Sequence, residues 1–203
     1  MAKARRLILA SGSAARRNML ENAGVPFDAE PAKIDESALK DALIRHPTSA
    51  PAHDIAVALA DAKALDVSKR NPDALGVGSD QVLALGEQLL SKASGRDSAR
   101  LALLALRGKT HALHSAVSLA RNGAVVWRYN ESARLTMRSF SDAWLDRYLD
   151  HAGDALVHCV GGYRLEGLGI QLFEKIEGDY FTILGMPLLA LLGELRQREM
   201  IAT

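Results

Sequence analysis

Helical periodicity over residues 53–69 gives the clearest element of this chain. Ile55, Leu59, Ala62 and Leu65 recur on one face at the spacing of an α-helix, which leaves the opposite face for charged residues. Periodicity, capping residues and helix breakers predict the other helices over 14–23, from Ser37 to near His46-Pro47, over 98–106, from Ser141 to about His151, and from Pro187 to about Arg196.

Short apolar runs between these helices predict β-strands. Residues 6–10 and 75–78 have the apolar character of buried strands, and the second strand is expected to end at Ser79-Asp80-Gln81. Residues 111–137 have β-like character around Asn122-Gly123, a dipeptide typical of a two-residue hairpin turn. Extended structure is also expected over 25–32 and 170–184.

Strands and helices thus alternate along the chain, with one antiparallel hairpin region in the middle. This order predicts an α/β fold with a mixed sheet, arranged as two lobes around a central cleft. The sequence shows no internal repeat and no linker that separates independent domains, so residues 1–203 are expected to form a single domain.

Composition and charge exclude several classes of protein. Hydrophobic residues make up 48% of the chain and charged residues 24%, which is typical of folded globular proteins. The net charge of +1 argues against a general affinity for nucleic acid. Cys159 is the single cysteine, so an internal disulfide and a cysteine-rich zinc site are excluded, and the cytoplasm is the expected compartment. No apolar stretch approaches the ~20 residues that cross a bilayer, so no membrane association is expected.

The first candidate for chemistry is the turn Ser11-Gly12-Ser13, which leads into the predicted helix that carries Arg16 and Arg17. Free N–H groups at a helix N-terminus attract phosphate, and arginine can bind phosphate through two hydrogen bonds. The alternative is ordinary capping by Ser13, with both arginines in solvent. The spacing of a P-loop is absent.

Three carboxylates form the next candidates. Asp35 and Glu36 precede a predicted helix, where they could hold Mg²⁺ together with substrate phosphates or simply complement the helix dipole. Asp80 is expected directly after a buried strand, a position that suits a general base or a metal ligand; the alternative is an Asx-turn.

Two lysines and a glycine-rich segment complete the candidates. Lys63 and Lys92 could neutralise phosphate charge, or each could be a solvated surface lysine. The segment 161–169 lets the backbone approach a ligand closely, and Glu166 could read a nucleobase; the alternative is a flexible turn with an exposed glutamate. Cys159 is expected to be a small buried hydrophobic residue and not a nucleophile.

Taken in order along the chain, these motifs resemble the Maf family of septum-formation-inhibitor-like proteins. The motifs that carry the resemblance are Leu7-Ile8-Leu9-Ala10-Ser11-Gly12-Ser13 with Arg16, Ile34-Asp35-Glu36, Ala62-Lys63-Ala64, Gly78-Ser79-Asp80-Gln81-Val82, Lys92, Glu166-Gly167-Leu168-Gly169, Ile176-Glu177-Gly178 and Leu184-Gly185-Met186-Pro187-Leu188. Each motif is weak alone, but the ordered set is specific and spans nearly the whole chain.

The resemblance implies a nucleoside triphosphate pyrophosphatase. Such an enzyme hydrolyses the α–β phosphoanhydride of a nucleoside triphosphate to the monophosphate and pyrophosphate, with a divalent cation, Mg²⁺ or Mn²⁺. The resemblance also implies an elongated mixed sheet flanked by helices, two lobes with a cleft as in inosine triphosphate pyrophosphatases, and a homodimer.

Roles follow position by position from the same resemblance. Asp80 matches the proton acceptor, and Glu36 matches the acid that assists the metal or the water. Lys63 and Lys92 match lysines that bind the triphosphate, with Lys92 counted among the catalytic residues, and Glu166 matches the residue that reads the base. The remaining substrate-binding positions are Ser11, Ser13 and Arg16 of the phosphate-binding loop, Ala15 within it, and Gln81 after the proton acceptor.

The chain departs from the family pattern beside this loop. Ala14 stands where the family usually has proline. Ala15 stands where members selective for dTTP and UTP have arginine and members selective for 7-methyl-GTP have tryptophan, so it supplies neither a charge nor a stacking face. Glu166, Gly78-Ser79-Asp80-Gln81 and Leu172-Phe173-Glu174 look more like the 7-methyl-GTP branch, so that specificity stays an alternative.

Other classes of function also stay open on the sequence. One is a phosphatase that releases orthophosphate. Another is a non-catalytic, nucleotide-sensing regulator of cell division, which the family name suggests. The near-zero net charge and the lack of aromatic stacking runs count against a nucleic-acid-binding module.

Overall fold

A mixed β-sheet with α-helices is the main feature of the computed structural model, which describes residues 6–45, 50–153 and 155–202. The strands are β1 (Arg6–Leu9), β2 (Asp28–Ala29), β3 (Ala74–Leu85), β4 (Gln88–Leu90), β5 (Thr110–Arg121), β6 (Ala124–Met137) and β7 (Phe173–Glu177). The helices are α1 (Ala14–Asn22), α2 (Glu36–Arg45), α3 (Ala52–Arg70), α4 (Arg96–Leu106), α5 (Asp142–Ala152), α6 (Ala155–His158), α7 (Tyr180–Leu184) and α8 (Leu188–Gln197), with a 3₁₀ helix over Leu168–Leu172. The predicted α/β class is confirmed.

Hydrogen bonding orders the strands β2-β1-β3-β5-β6-β7, and β4 pairs with β3 off this path. β1 runs parallel to β2 and to the first residues of β3. β4 is antiparallel to β3, and β7 is antiparallel to β6, so the sheet is mixed as predicted. Asn122 and Gly123, between β5 and β6, have φ values of +51° and +71°, the positive values that a type I′ hairpin turn requires.

The chain divides into two compact units. The first unit contains residues 1–81, 115–131 and 185–203, and the second contains residues 82–114 and 132–184. The single domain over 1–203, with two lobes around a cleft, stays a prediction. Among the residues that the structure describes, no helix combines the length and the apolar character needed to cross a membrane.

Close packing of α3 on β3 organises the first unit. A Cβ atom on Gly78 would lie 2.0 Å from the carbonyl oxygen of Ala60 and 2.5 Å from the amide nitrogen of Ala64. A Cβ atom on Gly76 would lie 2.9 Å from the carbonyl oxygen of Ala64. Glycine at these two positions therefore lets the helix backbone approach the strand directly. A hydrophobic cluster in the same unit contains Ile8, Ala10, Val67 and Ala74.

The prediction that the strand at 75–78 ends at Ser79-Asp80-Gln81 is wrong. β3 continues through these polar residues to Leu85. Ser79 Oγ donates a hydrogen bond to the carbonyl oxygen of Gly185, and Asp80 accepts one from Lys63, so the buried polar side chains have partners and need no exit to solvent. Asp80 thus lies inside a strand, and the Asx-turn alternative is wrong.

Two segments predicted to be extended are so only in part. Residues 170–184 are extended in β7, but α7 follows because the backbone N–H of Thr182 donates to Asp179 Oδ2 at 2.7 Å and caps the helix. Within residues 25–32, β2 is the assigned strand, and the N–H of Glu30 continues its pairing by donating to the carbonyl oxygen of Leu9 at 3.0 Å. α6 has no counterpart among the predicted elements.

The other predicted helices occur close to their predicted bounds. Ser13 caps α1 and Ser141 caps α5, each through its side-chain oxygen. The predicted stop of the second helix at His46-Pro47 lies outside the described residues.

A histidine is buried in the apolar core of the second unit. The core of this unit includes Leu83, Leu103, Leu106, Leu113, Leu135, Met137, Leu145 and Leu149, and the rings of Tyr163 and Phe173 lie against the histidine. His111 is 2% exposed, and its Nε2 lies 2.7 Å from the hydroxyl of Tyr163. Its Nδ1 has no hydrogen-bond partner in the described part of the chain. Burial lowers the pKa of His111 from 6.5 to about 4.

We expect His111 to make the protein less stable in acid. The unfolded chain protonates this group near pH 6.5, whereas the folded protein keeps it neutral down to about pH 4, so the unfolded state binds more protons between these values. The free energy of unfolding should therefore fall by about 3 kcal/mol as the pH drops through this window, and His111→Phe should remove that fall.

Urea unfolding of both proteins between pH 7 and pH 4 measures this effect. Replacement of the exposed His53 by Phe is the matched control and should leave the difference between pH 7 and pH 4 in place. Parallel pH profiles for the wild type and His111→Phe would contradict the assignment.

Candidate active site

The ammonium group of Lys63 lies between the carboxylates of Glu36 and Asp80 in the first unit. Its Nζ is 2.8 Å from Glu36 Oε2 and 2.7 Å from Asp80 Oδ1. The side chains of Lys63 and Asp80 are 5% and 12% exposed, whereas that of Glu36 is 53% exposed. The alternative of a solvated Lys63 is therefore wrong, and three separate stretches of the chain bring their charges together here.

The close packing that requires glycine at position 78 also brings Lys63 to Asp80. Gly78 and Asp80 are two residues apart in β3, so both lie on the face of the strand that α3 covers. Lys63 lies in the turn of α3 that contains Ala60 and Ala64, the residues that approach Gly78. A side chain from this turn therefore meets the next residue on the same face of the strand.

Asp35 and Glu36 have different surroundings. Asp35 Oδ1 accepts hydrogen bonds from the backbone N–H of Ala38 at 2.9 Å and from Ser37 Oγ at 2.8 Å. These hydrogen bonds, that of Ala38 above all, lower the pKa of Asp35. Asp35 thus caps α2, which agrees with the alternative that this residue serves the start of the helix and not a metal. Glu36 pairs with Lys63 and stays the candidate ligand for a metal.

Arg16 is buried in the first unit and is held by neutral acceptors. Its Nε donates to the carbonyl oxygen of Gly185 at 2.9 Å, and its Nη1 donates to Ser11 Oγ at 3.4 Å. Burial lowers the pKa of Arg16, while the negative charges of Asp80 and Glu36 raise it, and the guanidinium stays protonated. With 9% of the residue exposed, the solvated alternative is wrong for Arg16.

The turn before α1 forms a small hydrogen-bonded loop. Ser13 N donates to Ser11 Oγ at 3.2 Å, and Arg16 N donates to Ser13 Oγ at 3.4 Å. Ordinary capping is therefore present, and Arg17 is exposed as that alternative expects. Ala15 is half-buried in the first turn of the helix and presents only a methyl group.

Gln81 follows Asp80 in β3, so its side chain points to the opposite face of the strand. Its Nε2 donates to Ser115 Oγ at 3.0 Å. This hydrogen bond connects Gln81, a predicted substrate-binding residue, to β5 of the same unit.

Lys92 and Glu166 belong to the second unit. Lys92 is exposed and pairs with Val160 in an isolated antiparallel bridge. Glu166 Oε1 accepts hydrogen bonds from the Arg164 guanidinium at 3.1 and 3.2 Å. Burial raises the pKa of Cys159, Glu166 raises it further, and Arg164 and Lys92 lower it. A raised pKa does not activate a thiol as a nucleophile. Cys159 is half-buried, so the expectation of a fully buried residue is wrong.

A cavity of about 450 Å³ opens beside Glu166 in the second unit. Its wall is formed by Leu165, Glu166, Gly167, Ile170, Ile176, Gly178, Tyr180 and Ile183. Tyr180 contributes an aromatic ring and Glu166 contributes a carboxylate to an otherwise apolar wall. A cavity of this size and chemistry suits a nucleobase.

The sequence alone assigns no role to three residues at these sites. Arg16 Nε donates to the carbonyl oxygen of Gly185, and Ser79 Oγ donates to the same oxygen. Ser79 and Gly185 lie in motifs that resemble the family, but contacts between such distant parts of the chain have no local signal. Tyr180 lies in the segment predicted to be extended but belongs to α7, so its position at the cavity could not be predicted.

A divalent cation has two carboxylates available in the first unit, those of Glu36 and Asp80. In the described ranges, no group of three or more His, Cys, Asp and Glu side chains is arranged to hold a metal ion. This donor set fits Mg²⁺, which binds through one or two carboxylates together with substrate phosphates.

Comparison with known proteins adds independent information. A protein-family model described as Maf-like protein matches residues 6–198. A nucleoside triphosphate pyrophosphatase from Caulobacter vibrioides is 54% identical over 188 residues, which cover 93% of each chain. A 7-methyl-GTP pyrophosphatase from Brucella abortus biovar 1 is 47% identical over 97% of this chain and 98% of the relative.

A solved structure of a nucleoside-triphosphatase, dITP/XTP pyrophosphatase, from Mycobacterium abscessus matches 96% of this chain and 95% of its own, at 16% identity and a TM-score of 0.43. A likeness at this score supports no conclusion about activity.

We expect Lys63→Met to destabilise the protein by about 3 kcal/mol, because loss of the ammonium leaves the buried carboxylate of Asp80 without its partner. Adding Asp80→Asn should restore part of this loss, since the remaining buried group is then neutral. Urea unfolding of the wild type, both single variants and the double variant measures the coupling.

The matched control is Lys33→Met, which removes an exposed lysine side chain and should change stability by less than about 0.5 kcal/mol. The same loss from Lys63→Met with and without Asp80→Asn would show that the two groups do not stabilise each other.

Proposed function

This chain belongs to the Maf-like protein family, and from that premise we propose that it is a nucleoside triphosphate pyrophosphatase. The reaction cleaves the α–β phosphoanhydride of the substrate and yields a nucleoside monophosphate and pyrophosphate. The observation that carries the proposal is the buried ammonium of Lys63 between Asp80 and Glu36, with Arg16 in electrostatic reach of both carboxylates. The names of relatives at 47% and 54% identity support the same reaction.

Asp80 is the proposed general base. Lys63 holds its Oδ1, whereas its Oδ2 has no hydrogen-bond partner among the described residues and is available to a water molecule. In the proposed step the water oxygen bonds to the α-phosphorus, the water proton passes to Asp80, and the bond from the α-phosphorus to the bridging oxygen breaks. The electron pair of that bond leaves with pyrophosphate.

The cationic groups of the first unit are the proposed holders of the phosphates. Arg16 and Lys63 supply positive charge, and the N-terminus of α1 after Ser13 supplies free N–H groups. Ser11 belongs to the same loop. Because phosphoryl transfer depends mainly on positioning and charge neutralisation, groups of this kind supply most of the rate enhancement.

The remaining predicted substrate contacts are proposals of the same kind. Lys92 is proposed to bind the triphosphate, Glu166 to read the base, and Ala15 and Gln81 to line the substrate. The support for these roles is the match of their motifs to the family.

Glu36 is the proposed ligand of a divalent cation, Mg²⁺ or Mn²⁺. Its side chain is 53% exposed, so it is accessible to a cation that arrives with the triphosphate. When bound, the cation supplies positive charge that neutralises phosphate oxygens.

A preference for 7-methyl-GTP is the second candidate function. The cavity beside Glu166 and Tyr180 supports it, because a 7-methylated guanine carries a positive charge that an aromatic ring attracts. The Glu166 carboxylate, which accepts hydrogen bonds from Arg164, would have to exchange that partner for the base. The Brucella relative that is named for this substrate supports the same specificity. Ala15 offers no stacking ring, so the cavity would have to supply it.

Three expectations about partners and location stay proposals. A homodimer rests on the resemblance to the family, and the lack of nucleic-acid binding rests on the net charge of +1. A cytoplasmic location rests on the single cysteine. A nucleotide sensor without turnover is the functional alternative to the enzyme.

We expect Asp80→Asn to keep the fold and to lower kcat by at least about 100-fold, because the amide cannot accept the proton from water. Pyrophosphate release from a panel of common and modified nucleoside triphosphates with Mg²⁺ or Mn²⁺ measures this. Asp61→Asn is the control: Asp61 is also a poorly exposed acid, but its partners are Arg128 and Ser118 and not Lys63.

Near-normal turnover in folded Asp80→Asn would remove Asp80 from the mechanism. Nucleotide binding by the wild type without any turnover would favour the sensor. Orthophosphate release that does not depend on added inorganic pyrophosphatase would favour a phosphatase.

We expect Glu166→Gln to reduce the preference for 7-methyl-GTP over GTP, measured as the ratio of kcat/KM values, by about tenfold, because an amide attracts a cationic base less than a carboxylate does. Glu87→Gln, which alters an exposed acid of the same unit outside the cavity wall, should leave the ratio unchanged. An unchanged ratio in Glu166→Gln would show that the Glu166 carboxylate takes no part in selecting the base.

A further inference from the structure

Two buried donors in the first unit share one backbone carbonyl. Arg16 Nε donates to the carbonyl oxygen of Gly185 at 2.9 Å, and Ser79 Oγ donates to the same oxygen at 3.0 Å. Ser79 is fully buried and Arg16 is 9% exposed. Since a carbonyl oxygen has two lone pairs, these two donors satisfy it completely and restrict its direction.

The position of this carbonyl is set by the backbone on both sides of it. Gly185 has a φ of +108°, a value that residues with a Cβ rarely adopt, and a Cβ atom there would lie 3.4 Å from Arg16 Nη2. Met186, the next residue, is fully buried. Pro187 is then the N-cap of α8, and its carbonyl oxygen accepts the N–H of Leu191 at 3.2 Å. The carbonyl of Gly185 is thus a rigid acceptor.

A neutral acceptor has a particular consequence for Arg16. A carboxylate in direct contact would cancel much of the guanidinium charge, whereas a carbonyl oxygen and the hydroxyl of Ser11 fix its orientation and leave the charge in place. The bonds occupy Nε and one N–H of Nη1. Within the part of the chain that the structure describes, Nη2 makes no hydrogen bond. This nitrogen of the guanidinium is therefore available to an anion.

We infer that Gly185 and Ser79 are positioning residues for Arg16. The carbonyl of Gly185, held in direction by the hydroxyl of Ser79, orients the guanidinium so that Nη2 and the positive charge meet a phosphate oxygen of the substrate. This inference rests on the proposed function, in which Arg16 binds the triphosphate. It assigns roles to two residues that touch no substrate themselves.

A double-mutant cycle tests the inference. Inorganic tripolyphosphate, which has no base, is titrated calorimetrically with Mg²⁺ into the wild type, Ser79→Ala, Arg16→Met and the double variant. Loss of one buried hydrogen bond should weaken binding by about fivefold in Ser79→Ala. The same change in the Arg16→Met background should weaken it by less than about twofold, because the group that Ser79 positions is then absent.

The matched control is Ser118→Ala, which removes another fully buried strand serine whose hydroxyl donates to Asp61 at 2.7 Å. Its dissociation constant for tripolyphosphate should equal that of the wild type. Equal losses from Ser79→Ala in both backgrounds would mean that Ser79 is merely structural, and the inference would fall. No binding of tripolyphosphate to the wild type would also overturn it.

A measurement on the wild type covers the case in which Ser79→Ala does not fold. With arginine labelled with ¹⁵N, the Nε–H signal of Arg16 is assigned by its loss in Arg16→Met. Its exchange with water should be at least about tenfold slower than that of the exposed Arg17, because it is buried and bonded to the Gly185 carbonyl. Equal exchange rates for the two arginines would contradict the inference.

These experiments distinguish failure of the positioning inference from failure of the proposed function. If the wild type releases pyrophosphate but the cycle shows no coupling, the enzyme stands and only the positioning roles fail. If the cycle shows coupling but no nucleotide is hydrolysed, the anion site stands and the proposed reaction fails.

Discussion

The candidate site depends on one interaction, the buried contact of the Lys63 ammonium with the carboxylates of Asp80 and Glu36. An ammonium removed from water is costly unless it is paired, and two carboxylates within hydrogen-bond distance meet that requirement. The contact exists because Gly78 lets α3 lie directly on β3, so that a lysine in the helix reaches an aspartate in the strand. Packing between a helix and a strand thus sets the position of the proposed base.

The two buried cations of the first unit are held in different ways, and the difference matches different tasks. Lys63 is paired with carboxylates, so it orients them and neutralises part of their charge. Arg16 is held by the Gly185 carbonyl and the Ser11 hydroxyl, so its own charge is not cancelled by a direct partner. A polyanion that enters such a site meets an arginine that is already oriented, and little further ordering is needed.

Local structure was predictable from the sequence wherever neighbouring residues decide it. The helix over 53–69, the Asn122-Gly123 turn and the caps by Ser13 and Ser141 appear as predicted. The apolar face of that helix is predicted only in part: Ile55 and Leu59 are buried, whereas Ala62 and Leu65 are half-buried. The continuation of β3 through Asp80 was not predictable, because the partners that let a polar residue stay inside a strand come from distant segments. The burial of Lys63 was hidden for the same reason: an isolated lysine is usually exposed, and only the ordered set of motifs pointed to its role.

The most direct test of the account is to hydrolyse a nucleoside triphosphate in water enriched in ¹⁸O and to locate the label by mass spectrometry. A base that directs water to the α-phosphorus places one ¹⁸O atom in the nucleoside monophosphate and none in pyrophosphate. Label in pyrophosphate or in orthophosphate would mean that the water attacks a different phosphorus, and the assignment of this charged cluster to α–β cleavage would be wrong.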